Sequence, residues 1–522
     1  MFRRAVCVAV AALVCGCDIG PFSSPPAYGF IVVSTGSVAL RGGSDEVPPS
    51  LDMRIHAAAP FRSGDVTARL DGKPLGLQAQ GGDELASLQS PLPLGSPHHL
   101  DIAVAARDDL VFDFTIVPPT AVMLAAHINQ GAGVVVDAVF AGAPTRAAVA
   151  AALPGASINW SDGTHARLSW AAATPPAVDL PAAIPTAQGS HLAAPIHLDL
   201  NGLRPGALRR VTVPAAAAVS SIPLVAFATN TAVSNTSAAD HVRALSSLSP
   251  TGWASASDGT VLGVPDPASV SRARAAGIPI WPLVQNNASD AASTSTLLGS
   301  SAATSQLVQS ITQSVVSGGF AGIHLDFEGV PGADRDELTA LVNAFATSLH
   351  AHGAKLAVDI VPHGAYGTNQ YSAAYDVHAI GAAADYVDLM AYDQHGEGGT
   401  PGPVAGLDWD RSELAATLPE LTRSKTLLGI PLYARRWDGS GGTSDTYAAA
   451  VAYALGLPGA RVDYDFAAQT PFITSADGTS VTYFDDADSL ARKLALVTAD
   501  GLAGAAAWRL GYEDPALWAL AG

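Results

Sequence analysis

The sequence of 522 residues has few charged side chains and few cysteines. Charged residues make up 14% of the chain, and 27 Lys and Arg stand against 46 Asp and Glu, which gives a formal net charge of −19 at pH 7. A surface with this excess of acidic groups repels phosphates, so nucleic acid is excluded as an expected partner. Hydrophobic residues reach 48%, which excludes disorder as the main state, and the length predicts about two to four domains. A neutral ligand or polymer fits this composition better.

The three cysteines all lie within the first 17 residues. The basic pair Arg3-Arg4 precedes an apolar run over residues 5–14, which is too short to span a bilayer and is typical of a signal peptide. The following stretch, Val14-Cys15-Gly16-Cys17, resembles a bacterial lipobox, which implies cleavage before Cys17 and lipidation of that residue. An ordinary signal peptide cut nearby is the alternative.

We therefore expect residues 1–17 to be a lipoprotein signal peptide and residues 18–27 to be a tether. The mature protein is expected to be an exported bacterial lipoprotein, anchored to a membrane in the periplasm or at the cell surface. A mature chain with a single cysteine forms no internal disulfide, and lipid chains rather than a spanning helix would hold it at the membrane.

Residues 28–118 and 119–214 show short strands separated by turns, and each segment is predicted to be an immunoglobulin-like β-sandwich module. The pair Asp71-Gly72 predicts a hairpin turn between two of these strands. His98 and His99 have no further ligands at metal spacing, so they indicate a solvated loop. The predicted strands cover residues 30–33, 51–55, 66–70, 99–105, 110–117, 134–140, 166–170, 196–200 and 209–213, with one short helix at 145–153.

Residues 215–522 alternate between apolar strands and amphipathic helices. Eight such units over about 300 residues predict a (β/α)8 TIM barrel, and residues 436–484 predict a small β insertion between strands seven and eight. The predicted strands cover residues 224–229, 253–257, 278–284, 323–328, 356–361, 386–392, 426–432 and 505–510. The predicted helices include residues 239–248, 269–276, 305–317, 334–349, 372–384, 412–422 and 487–499.

The stretch at residues 320–329, Phe-Ala-Gly-Ile-His-Leu-Asp-Phe-Glu-Gly, contains three ionisable residues within one predicted barrel strand. Alternate side chains of a strand share one face, so His324, Asp326 and Glu328 are expected to point the same way. Ionisable groups are costly to bury without a purpose, and the C-terminal ends of barrel strands face the active site. The sequence therefore predicts an active site at the end of strand four.

This stretch resembles the strand-four signature of the family 18 glycoside hydrolases, D-G-x-D-x-D-x-E. Gly322, Asp326 and Glu328 match the signature, while Ala321 and His324 stand where it has two further Asp residues. The strand-six sequence Met390-x-Tyr392-Asp393 resembles a second motif of the family, M-x-Y-[DN]. Trp508 falls where the family keeps the tryptophan beneath the sugar, and residues 508–515 resemble a bacterial branch that includes spore-wall lytic enzymes and proteins with polysaccharide-deacetylase and glycosyltransferase domains.

The resemblance implies a glycosidase that uses the acetamido group of its own substrate as nucleophile. Glu328 would be the general acid and then the base, Asp326 would hold the acetamido N–H, and Tyr392 would orient the acetamido group. Trp508 would pack against the sugar face. Neither a cofactor nor a metal is implied, and the expected partner is an N-acetylated polysaccharide or oligosaccharide. The candidates for further substrate contacts are Asp393, Met390, Asn286 and Tyr433.

Two other classes of function stay open at this point. A non-catalytic glycan-binding barrel is favoured by the missing carboxylate at His324, and a metal-dependent deacetylase is a poorer third interpretation. The sequence does not separate chitin, peptidoglycan and exopolysaccharide as substrate, nor internal from terminal cleavage. We expect His324 to favour the ionised form of Asp326 and thereby to change the pH profile of the enzyme.

Overall fold

The computed structural model of the chain describes residues 31–35, 38–40, 45–47, 51–88, 90, 92–105, 109–129, 133–171, 174–216, 222–364, 370–439 and 441–520. The predicted signal peptide, the tether and Cys17 lie outside these residues. The chain divides into two compact units, one reaching to Pro119 and including Gln188–Ser190, the other formed by Thr120–Ala187 and His191–Gly522. In the described part of the chain, no helix combines the length and the hydropathy that crossing a membrane requires.

The first unit is an all-β module of two sheets. One sheet has the strand order β2-β1-β4-β8-β7 and the other β3-β10-β9-β5-β6, and all pairs are antiparallel except the parallel pair of β3 and β10. Alternate residues such as Met53 and Ile55 are buried between the sheets. Asp71 and Gly72 adopt φ angles of 52° and 75° in the two-residue turn from β5 to β6, as the predicted hairpin requires. The strands are β1 Ile31–Thr35, β2 Val38–Ala39, β3 Asp45–Val47, β4 Met53–Ala57, β5 Val66–Leu70, β6 Lys73–Leu75, β7 Gln78–Gln80, β8 Asp83–Ala86, β9 Pro97–Val104 and β10 Leu110–Ile116.

The second unit begins with another β module. Five of its strands form one antiparallel sheet in the order β13-β14-β12-β11-β17, and β15 pairs with β16 in a separate sheet. The predicted helix at residues 145–153 is present as α1. The elements are β11 Val122–Asn129, β12 Gly133–Phe140, α1 Arg146–Ala152, β13 Ser157–Trp160, β14 His165–Ser169, β15 Ala177–Leu180, β16 Ile196–Asp199 and β17 Arg209–Val213.

The remainder of this unit is a parallel barrel with an antiparallel insertion. The barrel strands neighbour one another in the order β19-β18-β32-β26-β25-β24-β23-β22, and a parallel bridge between Leu248 and Ile280 closes the ring. The strands are β18 Leu224–Ala228, β19 Ser247–Pro250, β20 Trp253–Ser255, β21 Val261–Leu262, β22 Leu283–Gln285, β23 Gly322–Asp326, β24 Lys355–Ile360, β25 Tyr386–Leu389, β26 Thr426–Pro431, β27 Tyr433–Trp437, β28 Gly442–Thr446, β29 Arg461–Asp465, β30 Thr470–Thr474, β31 Val481–Tyr483 and β32 Gly504–Trp508.

Helices cover the outside of the barrel strands and fix where each strand begins. Ser300 caps the helix before strand four through the N–H of Ala303, and Gly319 ends that helix in the left-handed conformation, with φ 62°. The chain then enters β23 and carries its C-terminal end to the mouth of the barrel. The helices are α2 Ala232–His241, α3 Pro267–Ala276, α4 Ala291–Leu298, α5 Ser301–Gly318, α6 Arg335–His350, α7 Val377–Ala383, α8 Leu407–Thr417, α9 Tyr447–Leu455 and α10 Ala487–Asp500.

The second barrel strand begins earlier than the sequence predicted. The predicted strand at residues 253–257 overlaps β20, which pairs in parallel with β22, but the pairing with β18 is made by β19, which precedes it. Residues 247 and 248 of β19 were assigned to a helix, but α2 ends at His241. Ser247 and Ser249 have little strand propensity, yet both are buried in the ring, and burial in a barrel overrides propensity.

The predicted insertion between strands seven and eight is a five-stranded antiparallel sheet, β28-β27-β31-β30-β29, with α9. It shares a hydrophobic cluster with the β module that opens this unit, in which Met123 and Val139 join Ala454 and Val462. The buried Asp137 of β12 also accepts a 2.9 Å hydrogen bond from the N–H of Val462. Packing thus continues across the predicted boundary at residues 214 and 215, and the assignment of separate domains on either side of it stays a prediction.

Candidate active site

Neighbouring barrel strands place a row of polar side chains at the same height. In the parallel ladders, Gln285 of β22 pairs with Asp326 of β23, and Asp359 of β24 pairs with Asp388 of β25. Gly322 lets β23 approach β24 closely, because a Cβ there would lie 2.2 Å from the carbonyl oxygen of Lys355. The row lies near the C-terminal ends of the strands, which is where barrels carry their active sites.

A pocket of about 340 Å³ opens above this row. Seven of the eight residues predicted to act on the substrate line it, namely Asp326, Glu328, Met390, Tyr392, Asp393, Tyr433 and Trp508. The structure adds six lining residues that were not predicted, namely Phe227, Asp359, Arg435, Ser444, Arg509 and Tyr512.

The eighth predicted residue, Asn286, is occupied with the backbone of Glu328. Its Nδ2 donates to the carbonyl oxygen of Glu328 at 2.7 Å, and its Oδ1 accepts from the N–H of Glu328 at 2.9 Å. Nδ2 also donates to Thr294 Oγ1. This geometry gives Asn286 a positioning role, whereas its expected contact with a sugar hydroxyl stays a prediction.

Glu328 follows the end of β23 and reaches into the pocket. Gly329 turns the chain directly after it, with φ 62°, and a Cβ at that position would lie 2.5 Å from the carbonyl oxygen of Ala288. Burial, and then the negative charge of Asp393, raise the pKa of Glu328 above its usual value. A carboxyl group with a raised pKa keeps its proton to higher pH than usual, which suits a general acid.

Asp326 lies deeper, with 5% of its surface exposed. Its Oδ2 accepts a 2.9 Å hydrogen bond from Gln285 Nε2, while its buried Oδ1 has no hydrogen-bond partner among the described residues. Burial, and then the charges of Asp359 and Glu328, raise the pKa of Asp326 well above its usual value. The pKa of Asp359 is raised in the same way, by burial and then by Glu328. These carboxyl groups therefore tend to hold protons.

His324 does not act on Asp326 as the sequence suggested. Its Nδ1 lies 2.9 Å from Oδ1 of Asp359, and its ring packs edge-on against Phe227 and Trp281. Burial lowers the pKa of His324 to about 4, so the imidazole is neutral at pH 7. The expectation that His324 favours the ionised form of Asp326 is wrong, because a neutral ring supplies no charge and the pKa of Asp326 is raised.

The opposite wall of the pocket is held by an ion pair. Asp393 accepts a hydrogen bond from the hydroxyl of Tyr433, and its Oδ1 lies 2.8 Å from Nη2 of Arg435. Arg435 is buried and also donates to the carbonyl oxygen of His395 at 2.7 Å. Sequence reasoning missed Arg435 because its direction depends on how the insertion strand β27 leaves the barrel.

The aromatic residues of the pocket are fixed by packing. The ring of Trp508 lies 5.4 Å from that of Phe227, and the ring of Tyr392 lies 6.4 Å from that of Tyr433. Burial, and then the charge of Asp388, raise the pKa of Tyr392 well above its usual value, so its hydroxyl remains a hydrogen-bond donor. Together these groups offer an aromatic surface, an acid with a raised pKa and hydrogen-bonding groups to a neutral polar ligand.

A parallel barrel with a buried acid pair at the end of strand four is an arrangement that suits a glycoside hydrolase. Residues 285–513 match the family model of the glycosyl hydrolases family 18. This match agrees with the resemblance found in the strand-four and strand-six motifs.

Known proteins align with the same region. The chain is 31% identical over 222 residues to the sporulation-specific glycosylase YdhD of Bacillus subtilis (strain 168), which covers 41% of this chain and 52% of that protein. It is 28% identical over 224 residues to the cortical fragment-lytic enzyme of the same organism, and this alignment covers 41% of this chain and 52% of that enzyme. The chain thus spans about half the length of these curated relatives.

Among solved structures, the crystal structure of a chitinase from Chromobacterium violaceum ATCC 12472 superposes with a TM-score of 0.53 at 29% identity. The superposition covers 58% of this chain and 98% of the chitinase chain. The likeness therefore includes nearly the whole of that enzyme.

Proposed function

We propose that the protein hydrolyses β-linked glycans containing N-acetylglucosamine by a retaining, substrate-assisted mechanism. The observation that carries the proposal is the placement of Glu328, with a raised pKa, beside Asp326 in a pocket walled by Trp508 and Tyr392. A protonated acid, a second carboxyl group and an aromatic floor are what cleavage of an N-acetylated sugar polymer needs.

In the first step Glu328 donates its proton to the glycosidic oxygen, and the bond between that oxygen and the anomeric carbon breaks. The carbonyl oxygen of the substrate's acetamido group forms a new bond to the anomeric carbon, which gives a cyclic oxazolinium ion. Asp326 accepts the acetamido N–H and stabilises the positive charge, while Tyr392 hydrogen-bonds and orients the acetamido group. In the second step Glu328 takes a proton from water, and the resulting hydroxide opens the ring with net retention.

The names of the relatives support two substrate classes. The cortical fragment-lytic enzyme is named for fragments of the spore cortex, and the structural relative is a chitinase. Both a cortex-like peptidoglycan and chitin present N-acetylated sugars, and the pocket residues recognise that shared group. Parallel assays on chitin oligomers and on peptidoglycan fragments separate the two.

The deciding experiment uses a fluorogenic N-acetylglucosamine oligomer and the full-length protein. Turnover by the wild type should fall by about a thousandfold or more in Glu328→Gln, because the amide has no proton to donate. Glu337→Gln, on the exposed face of α6, makes the same substitution away from the pocket and should leave turnover unchanged.

The replacement of a family carboxylate by His324 favours one competing function, a barrel that binds glycans without cleaving them. Binding of the oligomer by wild type and Glu328→Gln alike, with no turnover of either substrate class by either protein, would establish that function. Equal turnover by wild type and Glu328→Gln would remove Glu328 from the mechanism.

We also propose that the protein is an exported lipoprotein anchored through Cys17, on the strength of the lipobox-like sequence alone. Metabolic labelling with an alkyne analogue of palmitate should mark the wild type and Cys15→Ser but not Cys17→Ser. Labelling that survives Cys17→Ser would overturn the assignment of the anchor.

The first unit is proposed to be an immunoglobulin-like module. Its two sheets bring together the strands expected of that topology: β1, β4, β8 and β7 on one side, and β10, β9 and β5 on the other. The parallel pairing of an early strand, β3, with the last strand, β10, agrees with this assignment. An experimental structure of this unit with a different strand order would contradict it.

A further inference from the structure

The strand-four motif lacks one carboxylate, and the neighbouring strand supplies another at the same height. We propose that Asp359 takes the place of the missing carboxylate by sharing a proton with Asp326, and that His324 is the residue that positions Asp359. This inference rests on the glycosidase activity proposed above and adds a catalytic residue that lies outside the family's strand-four motif.

The strand register places the two carboxyl groups side by side. The ladder between β23 and β24 pairs His324 with Ala357 and Leu325 with Val358, so the next step along both strands brings Asp326 beside Asp359. Both side chains line the same pocket, together with Glu328. Asp359 therefore reaches the site from an adjacent strand and not from the motif itself.

Hydrogen bonds hold one carboxyl oxygen of Asp359 and one of Asp326, and they leave a second oxygen of Asp326 without a partner in the described part of the chain. Asp359 Oδ1 is held by His324 Nδ1 at 2.9 Å, and Asp326 Oδ2 is held by Gln285 Nε2. Asp326 Oδ1 is buried and without a hydrogen-bond partner in the described part of the chain. An orphaned buried carboxyl oxygen is costly, and a proton shared with a neighbouring carboxyl group removes that cost.

The surroundings of Asp359 favour a state in which Asp326 and Asp359 together hold one proton. Two buried carboxyl groups on adjacent strands resist double ionisation, and the neutral ring of His324 does not offset a second negative charge. The ionisable groups that face Asp359 are Asp326, Glu328 and His324 from β23 and the turn after it, Asp388 and Tyr392 from β25 and its end, and Tyr375.

The shared proton gives Asp326 two states during the reaction. While the pocket is empty, the proton lies between Asp326 and Asp359. As the acetamido group binds, the proton moves to Asp359, and the ionised Asp326 accepts the acetamido N–H beside the developing positive charge. The proton returns when the product leaves, so none is gained or lost over the cycle.

The test begins with Asp359→Asn in the full-length protein. Burial still favours the protonated form of Asp326 in this variant, and the proton has no second carboxyl group to which it can move. We expect kcat to fall at least tenfold while KM stays within about threefold. In the proposed pair Asp359 holds the proton, and so carries no charge, when Asp326 is ionised. The acidic limb of the pH–rate profile should therefore move to higher pH in Asp359→Asn, because the anion of Asp326 loses the hydrogen bond from a carboxylic acid.

A second variant makes the proposal independent of folding defects. His324→Asp combined with Asp359→Asn restores a carboxyl group on strand four, and it should recover at least part of kcat and the original acidic limb. Asp336→Asn, at an exposed position of α6, is the matched comparison, since it makes the same substitution away from the pocket, and it should leave the acidic limb in place. For the positioning role, His324→Asn keeps a donor near the place of Nδ1 and should retain more activity than His324→Ala, with the same split between kcat and KM.

Two outcomes would overturn the proposal. One is a value of kcat within twofold of wild type and an unmoved acidic limb in Asp359→Asn. The other is a stoichiometric metal ion in purified protein that is required for turnover and is lost in Asp388→Asn, since His324, Asp359 and Asp388 place one ligand-capable atom each within 4.8 Å of the others. Absence of turnover in the wild type would instead contradict the proposed glycosidase activity. The comparison of wild type with Glu328→Gln tests that activity separately from the role of Asp359.

Discussion

Asn286 and Glu328 are joined by two reciprocal hydrogen bonds between the amide of the first and the backbone of the second. Because both the N–H and the carbonyl oxygen of Glu328 are held, the two peptide units that flank this residue have little freedom to rotate after the end of β23. The side chain of Glu328 can therefore meet the glycosidic oxygen in a fixed geometry, which is the condition for efficient proton transfer.

The first prediction concerns this pair. Asn286→Ala should lower kcat by about tenfold to a hundredfold and leave KM within about threefold, because it loosens the acid without removing a contact to the ground-state substrate. Steady-state kinetics on the fluorogenic oligomer measure both constants. Asn287→Ala, at the exposed neighbouring residue, is the control and should change neither. A rise in KM alone would instead support the expected contact between Asn286 and a sugar hydroxyl.

The second prediction concerns the charge opposite the acid. Burial is the larger cause of the raised pKa of Glu328, and the negative charge of Asp393 is the second cause. The protonated form of Glu328 is the active one in the proposed mechanism. Removing that charge in Asp393→Asn should therefore lower the pKa of Glu328 and move the alkaline limb of the pH–rate profile to lower pH. Tyr433→Phe takes away a hydrogen bond to Asp393 but keeps the charge, so it should move the limb less. An alkaline limb that stays fixed in Asp393→Asn would contradict this account.

Local patterns were sufficient to predict the acid pair. The alternation of side chains along residues 320–329 placed Asp326 and Glu328 on one face, and both line the pocket. The same alternation could not identify the partner of His324, because that partner lies on the next strand, 35 residues away in the sequence. Asp359 is a single acidic residue in an apolar strand, and only the register between β23 and β24 shows that it belongs to the site.

Local sequence patterns were also sufficient to predict the strands of the barrel, with one exception. All eight predicted strands overlap a strand of the barrel sheet, because long buried runs are strong signals. The exception is β19, whose short sequence Ser-Leu-Ser-Pro carries no strand signal of its own. Its conformation is fixed by pairing with β18, and that information is not local.

The third prediction concerns the aromatic floor of the pocket. Trp508→Ala should raise KM about tenfold, corresponding to about 1.4 kcal/mol of lost binding, since the indole offers a flat surface to the sugar. Trp508→Phe keeps an aromatic ring and should fall between wild type and Trp508→Ala. Trp518→Ala removes an indole that stacks on His241 away from the pocket, so its KM should match wild type. An unchanged KM in Trp508→Ala would exclude the floor from substrate binding.

The fourth prediction concerns the contact between β17 and α10. The side chain of Arg210 is 2% exposed, lies 2.6 Å from Asp486 and 3.2 Å from Asp488, and neutralises the residue that caps α10. Arg210→Met leaves a buried carboxylate without its counter-charge and should lower the free energy of unfolding by about 3–5 kcal/mol. Denaturant unfolding followed by tryptophan fluorescence measures the change.

Arg209 provides the matched control for that measurement. It carries the same charge on the neighbouring residue, but its ion pair with Asp199 is half exposed at 3.1 Å. Arg209→Met should therefore cost less than about 1 kcal/mol. Equal losses for the two variants would show that burial does not decide the strength of the Arg210 contact.

The fifth prediction concerns the pH dependence of stability. Burial raises the pKa of Asp410 to about 8, even though Lys493 lies 4.0 Å from it, because Lys493 is closer to Asp485 at 2.9 Å. Between about pH 4 and pH 8 the folded protein keeps a proton on Asp410 that the unfolded chain has released. The unfolded state then binds fewer protons, so this residue makes the free energy of unfolding fall as pH rises through that window.

Replacing Asp410 by Asn removes the titrating group and keeps its size. Asp410→Asn should therefore lose less stability than wild type between pH 5 and pH 8, with the curves diverging across that range. Denaturant unfolding at pH 5, 6.5, 8 and 9 provides the comparison. Asp240→Asn, on the exposed side of α2, makes the same substitution at the surface and should run parallel to wild type. If Asp410→Asn also ran parallel to wild type, Asp410 would be ionised in the folded protein, and its pairing with Lys493 would outweigh the cost of burial.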